Sequence, residues 1–481
     1  MQRSIIVFLF LCLYLPTSDA SERPNIVFIL ADDLGWRDLA CYGGTLADTP
    51  HLDQLAAEGM KFTNAYSPAP ICSASRAAIL TGKTPARLHF EFVTKPAGVD
   101  PPFRQLLPPA YTRDLPLKEV TLGEMLQQVD YATGFFGKWH VSEHYKGYLG
   151  WSPTHGPKQQ GFQTAVETFG SHPYAKNFDW KSSDFAKGEF PPDAVTENAI
   201  QFLQQPRKQP FILYLSQFHV HTPVRSPTDW LIEKYGVKAA SGPGEAKRRT
   251  HYGAFIETLD HYVGQVLAAL DQCGLRDSTL VVFTSDNGGH PEYAANGPLR
   301  GSKWNLYEAG IRVPLLVRWP KHVQAGSVCA KPVSGIDLFP TFCEVANANC
   351  ADLTRDGKNL LPLFAGKSTD WPTRALTWHF PYYHPEKGYK TAKETIGVND
   401  FAVSKTKPVS AIRVGDWKLL QFYESGKQEL YDLRNDPGEQ QDLSARQPKR
   451  TAQLSTKLKQ MLHEMQARFA TELIRGQPNT N

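Results

Sequence analysis

The stretch ICSASRAAILTG, residues 71–82, places a lone cysteine, Cys72, four positions before Arg76. Small residues, helical spacing and then Gly82 predict a helix that begins at or just after Cys72. Backbone N–H groups at a helix N-terminus attract anions, and Arg76 should lie on the same helix face one turn later. These two residues are therefore candidates for oxyanion chemistry, although an isolated cysteine is more often a small buried packing residue.

Two pairs of oxygen-bearing side chains each follow an apolar run. Asp32 and Asp33 end NIVFILADD, and Asp286 and Asn287 follow STLVVFTS. Ligands collect at the carboxyl ends of the strands in open parallel sheets, so the four side chains should converge. Oxygen ligands without paired His or Cys favour a hard cation such as Ca²⁺ or Mg²⁺. Either pair alone would serve equally well as a loop or helix cap.

Further cations and histidines occur near other strand ends. FFGKWH places Lys138 and His140 in an i, i+2 relation, on one side of the chain if it is extended. YLSQFHVHTP ends a strand-like run with His219 and His221, and Lys303 lies in a Gly-bounded loop. Alone, each is more often a loop residue than a catalyst. Together they predict a substrate with a compact, fully ionised oxyanion.

The elements that position these residues alternate between strand and helix. In chain order they are the strand NIVFIL, the helix HLDQLAAEGMKF with a stop at Gly59, the short strand FTNAY, the helix of the opening stretch, the helix DAVTENAIQFLQQ, the strand PFILYLSQF, the helix ETLDHYVGQVLAALDQCG and the strand STLVVFTSDNGG. This alternation predicts an α/β fold with a large, mostly parallel sheet flanked by helices.

The C-terminal part of the chain has a different pattern from about residue 375. It contains the strand candidates AIRVGDWKLLQFY and QELYDL, a turn at NDPGEQ and a last helix, PKRTAQLSTKLKQMLHEMQARF. This order predicts a smaller α+β subdomain with an antiparallel sheet. With 481 residues in total, the predicted division is a signal peptide at 1–20, a catalytic α/β domain at 21–374 and the subdomain at 375–481.

The first residues have the composition of an export signal. Arg3 is followed by IIVFLFLCLYL and then by PTSDA, whose small residues suit signal peptidase. A membrane anchor is the alternative, but the apolar run is too short to span about 30 Å of hydrocarbon as a helix. We therefore expect a periplasmic or secreted protein without a stable membrane anchor. The net charge of +4, without a dense run of Lys or Arg, argues against a nucleic-acid partner.

Seven cysteines occur in the sequence, and Cys12 belongs to the predicted signal. Export permits disulfides. Cys343 and Cys350 are near enough in sequence for a small loop bridge, and the pairing is left open. If Cys72 is reserved for chemistry, five cysteines remain, so at least one other would be unpaired.

In this order, the motifs resemble those of the formylglycine-dependent sulfatases of the alkaline phosphatase superfamily, over nearly the whole mature chain. The motifs that carry the resemblance are PNIVFILADDLG, PICSASRAAILTG, GKWH, HTP, TSDNGG, LYEAGIRVPLLVRWP, GDWKLLQFY and ELYDLRNDPGE. The resemblance implies an alkaline phosphatase-like fold and two cofactors, Ca²⁺ and 3-oxoalanine (C-formylglycine) made from Cys72 by a maturase. Ala74 stands where Pro is commonest, which is similar to bacterial members and leaves the type of maturase open.

The same resemblance implies roles for the site residues. The implied calcium ligands are Asp32, Asp33, Asp286, Asn287 and the modified residue at position 72. Arg76 and His140 would fix the hydrated aldehyde, while Lys138 and Lys303 neutralise the sulfate. His221 would protonate the departing alcohol and is preferred to His219 because it lies in HTP. One hydroxyl of the diol would attack sulfur, and loss of a proton from the other would regenerate the aldehyde and release sulfate.

The resulting hypothesis is an exported, calcium-dependent sulfatase, exo-acting on sulfated carbohydrate such as polysaccharide-derived oligosaccharides. The segments SHPYAKNFDW and WHFPYYHPEKGYK are equally compatible with the rim of a sugar pocket and with ordinary loop or domain packing. Two alternatives stay open at this point. They are a phosphoesterase or phosphonate monoester hydrolase of the same superfamily, and a noncatalytic glycan-binding protein if Cys72 is unmodified.

Overall fold

The computed structural model describes residues 23–94, 104–175, 184–240, 246–294, 296–367, 369, 371–383 and 406–473. The predicted signal peptide therefore lies outside the described residues. The strands are β1 (Asn25–Ala31), β2 (Met60–Phe62), β3 (Ala65–Tyr66), β4 (Leu106–Leu107), β5 (Ala132–Gly137), β6 (Thr164–Val166), β7 (Phe211–Ser216), β8 (Thr279–Ser285), β9 (Leu315–Arg318), β10 (Ser327–Cys329), β11 (Val333–Ser334), β12 (Ala375–Phe380), β13 (Val409–Val414), β14 (Trp417–Phe422), β15 (Gln428–Asp432) and β16 (Thr471–Glu472). The α-helices are α1 (Pro50–Ala57), α2 (Cys72–Thr81), α3 (Pro85–Leu88), α4 (Leu122–Gln128), α5 (Ala194–Gln204), α6 (Asp229–Ala240), α7 (Ala246–Gln272), α8 (Glu308–Ile311), α9 (Leu338–Val345), α10 (Leu361–Phe364) and α11 (Pro448–Glu464).

An eight-stranded sheet forms the centre of the described chain, in the order β10-β2-β9-β8-β1-β7-β5-β6. Strands β8, β1, β7, β5 and β6 run parallel to one another, and β9 is antiparallel to both β8 and β2. The predicted α/β fold with a mostly parallel sheet is thus confirmed. Strands β1, β7 and β8 are continuous apolar runs because both of their faces are covered.

The two faces of the sheet pack into separate cores. Along β1, Ile26, Phe28 and Leu30 join one core, whereas Val27 and Ile29 join the other, as the two-residue period of a strand requires. Helices α2, α4 and α9 pack together on the first side, and α1, α5 and α6 pack against α7. The helix that begins at Cys72 is therefore anchored between the sheet and neighbouring helices.

The C-terminal region forms its own four-stranded antiparallel sheet, in the order β12-β13-β14-β15. Helix α11 packs on this sheet, and Leu454, Leu458 and Leu462 share a core with Ile412 and Leu419. The predicted α+β region with an antiparallel sheet is confirmed. Its first strand begins at Ala375, and the division of the chain into domains at that residue stays a prediction.

Helix α1 ends at Ala57, just before the stop predicted at Gly59. The strand that follows begins earlier than the predicted FTNAY, because Met60–Phe62 already forms β2, which pairs with β9 and β10. Gly59 makes the close approach possible, because a Cβ at this position would lie 2.1 Å from the carbonyl oxygen of Val317.

The described residues contain six cysteines, all of them free thiols. Cys343 and Cys350 are in hydrogen-bond contact, but the loop bridge considered for them is not formed in this structure. Among the same residues, no helix combines the length and the apolar character needed to cross a bilayer.

Candidate active site

The acidic pairs meet because their strands are neighbours. β1 and β8 lie side by side in parallel, so Asp32–Asp33 and Asp286–Asn287 leave the sheet at the same edge. The backbone N–H of Asp33 donates to Asp286 Oδ1 at 3.2 Å, and Asn287 Nδ2 donates to Asp33 Oδ1 at 2.8 Å. All four residues are completely buried.

This group of oxygens fits a divalent cation. One carboxylate oxygen from each of Asp32, Asp33 and Asp286 lies within 4.8 Å of the other two. Among the described residues, Asp32 Oδ1 and Asn287 Oδ1 are buried without a hydrogen-bond partner. Burial, reinforced by Asp32 and only partly opposed by Arg76, raises the pKa of Asp286 to about 7. A hard cation would satisfy the two oxygens and relieve this crowding of negative charge.

Cys72 is the first residue of α2, as predicted, and its N-cap residue makes no side-chain capping bond. Arg76, one turn later, donates from Nε to Asp286 Oδ2 at 2.8 Å and from Nη1 to the carbonyl oxygen of Lys138 at 2.8 Å. Arg76 Nη2 lies 3.5 Å from Asp32 Oδ1. Arg76 thus ties the helix start to the carboxylates, while its predicted role in fixing the modified residue stays a prediction.

Lys138 and His140 both reach the site, although not by the predicted geometry. β5 ends at Gly137, and His140 has a φ of +54°, so the chain is not extended between them. Lys138 Nζ donates to Asp32 Oδ2 at 2.5 Å. Within the described part of the chain, neither ring nitrogen of His140 has a hydrogen-bond partner. Burial, together with Lys138, lowers the pKa of His140 well below its usual range, which leaves a neutral imidazole.

Lys303 and His221 form the other side of this group. Lys303 Nζ donates to Asp33 Oδ2 at 2.7 Å and lies 3.2 Å from His221 Nε2. His221 Nδ1 donates to the carbonyl oxygen of Thr222 at 2.6 Å, so Nε2 of the neutral ring is the unprotonated nitrogen. His219 instead packs its ring against Phe255, with centroids 4.9 Å apart.

These interactions define a charge cluster of three carboxylates and three cations. Its members are Asp32, Asp33, Asp286, Arg76, Lys138 and Lys303, each at most 2% exposed. The formal charges cancel, so a bound divalent cation would leave the cluster positive. An anionic ligand is the natural complement of such a site.

The cluster opens onto a pocket of about 630 Å³. Its lining includes Cys72, His140, His221 and Lys303, and it excludes His219. The sequence reasoning missed several lining residues, which are Val93, Tyr148, Thr222, Pro223, Arg248, His290, Glu292, Tyr293 and Trp304. His290 follows TSDNGG directly, so the motif could have pointed to it. No sequence motif next to Arg248 or Tyr148 indicates that these residues line the pocket.

The two predicted rim segments have different positions. Tyr174, in SHPYAKNFDW, lines the pocket, whereas residues 176–180 lie outside the described residues. In WHFPYYHPEKGYK, Trp378, Phe380 and Tyr382 are buried in a core cluster and do not line the pocket. The rest of that segment, 384–390, is outside the described chain. Packing therefore accounts for the described part of the second segment.

The base of the pocket combines carboxylates that can hold a cation, cations that can bind an anion and imidazoles that can transfer a proton. The fold and this site together define a hydrolase for esters of a compact oxyanion. Comparison with known proteins gives the particular class. A family model described as Sulfatase matches residues 24–348, and one described as N-sulphoglucosamine sulphohydrolase, C-terminal, matches residues 302–468. The chain belongs to the sulfatase family and is a sulfuric ester hydrolase.

Similar proteins cover most of the chain. Human arylsulfatase A is 31% identical, over 92% of this chain and 87% of its own length. Human N-acetylgalactosamine-6-sulfatase is 35% identical, over 74% of this chain and 68% of its own. Among solved structures, Ps i-CgsB in complex with k-i-k-neocarrahexaose superposes with a TM-score of 0.72 and 26% identity, covering 94% of this chain and 95% of that one.

Proposed function

We propose that this protein is an exported, calcium-dependent carbohydrate sulfatase that removes sulfate from the end of a sugar chain, using C-formylglycine made from Cys72. The charge cluster at the base of the pocket is the observation that carries the proposal. A pocket of about 630 Å³ has room for one sugar ring carrying a sulfate ester. A carbohydrate substrate is supported by two similar proteins, N-acetylgalactosamine-6-sulfatase and Ps i-CgsB, whose structure was solved in complex with k-i-k-neocarrahexaose.

Calcium would be held by Asp32, Asp33, Asp286 and Asn287, together with the residue at position 72. When bound, Ca²⁺ supplies positive charge that favours an ionised nucleophile and a sulfate oxygen at the same place. The oxygen-only side chains of the four strand-end residues support a hard cation over Zn²⁺.

C-formylglycine would supply, as its hydrate, a hydroxyl nucleophile and a second hydroxyl from which the aldehyde is regenerated. Burial of Cys72 at the start of α2, beside Lys138 and Arg76, supports this position for the modified residue. Ala74 is compatible with more than one maturase, so a formylglycine-generating maturase is proposed as a partner without its type.

The remaining side chains bind, orient and move protons. Lys138 and Lys303 would neutralise the sulfate, and the burial of both ammonium groups beside the carboxylates that would hold calcium supports this role. Arg76 and His140 would orient the residue at position 72. His221 would protonate the departing sugar oxygen through Nε2, with its ring held by the bond from Nδ1 to Thr222. Because Nε2 of the neutral ring carries no proton, it would first receive one from the Lys303 ammonium, 3.2 Å away.

Mass spectrometry combined with turnover tests this proposal. In protein from the native host, the peptide containing residue 72 should carry an aldehyde in place of the thiol, and a sulfated oligosaccharide should release sulfate. Cys72→Ala should remain folded, because the site is already surrounded by small residues, and should lose sulfate release. Complete retention of the thiol in active protein, or turnover by Cys72→Ala, would contradict the mechanism.

Export is tested separately. N-terminal sequencing of the mature protein should begin at Ser21 if residues 1–20 are removed as a signal peptide. A mature chain that retains those residues in the cytoplasm would contradict export but not the sulfatase chemistry.

A further inference from the structure

Arg248, His290 and Glu292 also line the pocket, outside the charge cluster. Arg248 Nη1 lies 3.1 Å from Glu292 Oε2, and the two side chains are 43% and 30% exposed. This ion pair joins the first turn of α7 to the loop that follows β8. The pair therefore presents both a guanidinium and a carboxylate to the pocket.

His290 adds a neutral donor beside this pair. The backbone N–H of Glu292 donates to His290 Nδ1 at 3.3 Å, so the neutral ring carries its proton on Nε2. Burial, with a contribution from Lys303, lowers the pKa of His290 to about 3, in keeping with a neutral ring. His290 can therefore donate a hydrogen bond without adding a charge.

We infer that Arg248 and Glu292 determine specificity by binding the hydroxyl groups of a neutral sugar ring that carries a single sulfate. This inference rests on the proposed carbohydrate sulfatase function and narrows its substrate class. A sugar hydroxyl donates to the Glu292 carboxylate, and an adjacent hydroxyl oxygen accepts from the Arg248 guanidinium. Vicinal hydroxyl groups of a pyranose can use both partners at once.

The distribution of charge favours a neutral ring over one with a second anionic group. In the charge cluster, each cation already faces a carboxylate, so the positive charge available to a sulfate is the excess that a bound divalent cation would supply. Among the described lining residues outside that cluster, the charge of Arg248 is balanced by Glu292. A carboxylate or second sulfate bound beside the pair would face the negative charge of Glu292, which is unfavourable in a partly desolvated pocket.

The test compares sulfate release by the wild type, Glu292→Gln and Glu292→Asp. The substrates are a panel of monosulfated hexoses and N-acetylhexosamines, their disulfated counterparts, and 4-nitrophenyl sulfate as a sugar-free reference. Glu58→Gln is the control for removal of a carboxylate outside the pocket lining, because Glu58 pairs with Arg276 at 2.7 Å and with Arg318 at 3.1 Å. Circular dichroism and thermal unfolding verify that each variant is folded.

The wild type should prefer the monosulfated sugar to its disulfated counterpart by about tenfold or more, since like charges oppose the second group. Glu292→Gln should lower the ratio of kcat/KM for the monosulfated sugar to that for 4-nitrophenyl sulfate by about 10- to 100-fold. The same change should reduce the discrimination against the disulfated sugar. Glu292→Asp should recover part of the lost ratio because it retains the carboxylate.

The outcomes separate this inference from the proposed function. If sulfated sugars are hydrolysed but Glu292→Gln changes the ratio no more than Glu58→Gln does, the specificity role is overturned and the sulfatase function stands. A wild-type preference for disulfated rings overturns it in the same way. If 4-nitrophenyl sulfate is hydrolysed and none of the sugars is, the carbohydrate function fails, and the inference fails with it.

Discussion

The protein contains two buried groups of charged residues that differ in how completely they are paired. One is the charge cluster beneath Cys72. The other, the Lys418 cluster, consists of Glu308 on α8, Lys418 on β14 and Glu439, all three completely buried. Lys418 Nζ lies 3.0 Å from Glu308 Oε1 and 2.9 Å from Glu439 Oε1. Burial of charge is thus common to the candidate active site and to an internal packing contact.

In the Lys418 cluster, each carboxylate oxygen lies within 3.0 Å of a polar or charged partner, although Glu439 Oε1 has only its ion contact with Lys418 and no hydrogen bond. Glu308 Oε2 accepts from the Tyr66 hydroxyl at 2.6 Å, and Glu439 Oε2 accepts from the backbone N–H of Glu308 at 2.7 Å. In the charge cluster, by contrast, the nearest cation to Asp32 Oδ1 is 3.5 Å away. Unmatched polar atoms that converge on one pocket therefore distinguish a ligand site better than buried charge does.

Removal of one lysine from each cluster should affect a different property, stability in the Lys418 cluster and activity in the charge cluster. Lys418→Met removes the cation that two buried carboxylates share. At a pH above the pKa of Glu439, where both carboxylates are ionised, the free energy of unfolding should therefore fall by about 3–5 kcal/mol. Lys303→Met should instead lower kcat/KM by about 10²- to 10³-fold, because a cation that faces the sulfate is lost. Urea unfolding and sulfate release measure the two effects.

Calcium should reduce the stability loss in only one of the two lysine variants. With Ca²⁺ bound, Asp33 keeps a positive neighbour in the Lys303→Met variant. The unfolding free energy of Lys303→Met should therefore differ less from that of the wild type than the unfolding free energy of Lys418→Met does. A larger stability loss in Lys303→Met, or an equal loss of kcat/KM in a folded Lys418→Met protein, would contradict the assignment of the two clusters to chemistry and packing.

Chelation should affect the charge cluster alone. If calcium binds only the folded protein, a concentration of 100 times its Kd stabilises the fold by about 2.7 kcal/mol, and EGTA should remove that contribution. Thermal unfolding with and without EGTA measures it. Asp32→Asn should lose most of the shift, whereas Lys418→Met should retain it. A wild-type melting temperature that does not respond to calcium would contradict the proposed site.

Much of the site could be predicted from the sequence because its determinants are local. Apolar runs that stop at Asp32 and Asp286 mark buried strand ends, and parallel neighbours share an edge. Small residues before Arg76 and the positive φ of Gly82, +67°, mark the start and the end of α2. These rules depend on short-range periodicity, which a single sequence contains.

The remaining features depend on tertiary contacts that have no local pattern. His140 reaches the pocket through a left-handed backbone conformation, which the spacing of GKWH does not reveal. Arg248 meets Glu292 only because α7 begins beside the loop after β8. Lys418 on β14 pairs with Glu308 on the short helix α8, so its burial contradicts the usual expectation that a strand lysine is exposed.

The stability of the Lys418 cluster should depend on pH. Burial raises the pKa of Glu439 from 4.5 to about 7, with Glu308 adding to the shift and Lys418 opposing it. The folded protein therefore holds a proton that the unfolded chain releases. The resulting stabilisation is complete below about pH 4.5 and is lost as the pH rises toward about 7, by an amount on the order of 1–3 kcal/mol.

Glu439→Gln should flatten this part of the stability profile, because it removes the titrating group and retains a hydrogen-bonding side chain. Urea unfolding at several pH values within the window gives the difference from the wild type. As a control, Glu143→Gln removes one member of an exposed ion pair, 3.0 Å from Arg113, and should follow the wild-type profile. A Glu439→Gln curve parallel to the wild type would assign the pH dependence to other groups.

The smallest effect should come from Tyr174, at the boundary between the charge cluster and the pocket wall. Its hydroxyl donates to the carbonyl oxygen of Thr222 at 2.5 Å and lies 2.9 Å from His221 Nδ1. Tyr174→Phe removes about 1 kcal/mol of hydrogen bonding that orients this histidine, so kcat should fall about 3- to 10-fold. The fall should be greatest for leaving groups that need a proton.

A series of aryl sulfates whose phenols differ in acidity makes this role measurable. Because His221 is the proposed proton donor, its misorientation should penalise the least acidic phenols most, and the dependence of kcat/KM on the leaving group should steepen in Tyr174→Phe. Tyr293→Phe, which alters another tyrosine of the pocket lining, should keep the wild-type dependence. Equal losses across the series in Tyr174→Phe would mean that Tyr174 shapes the pocket and does not position the proton donor.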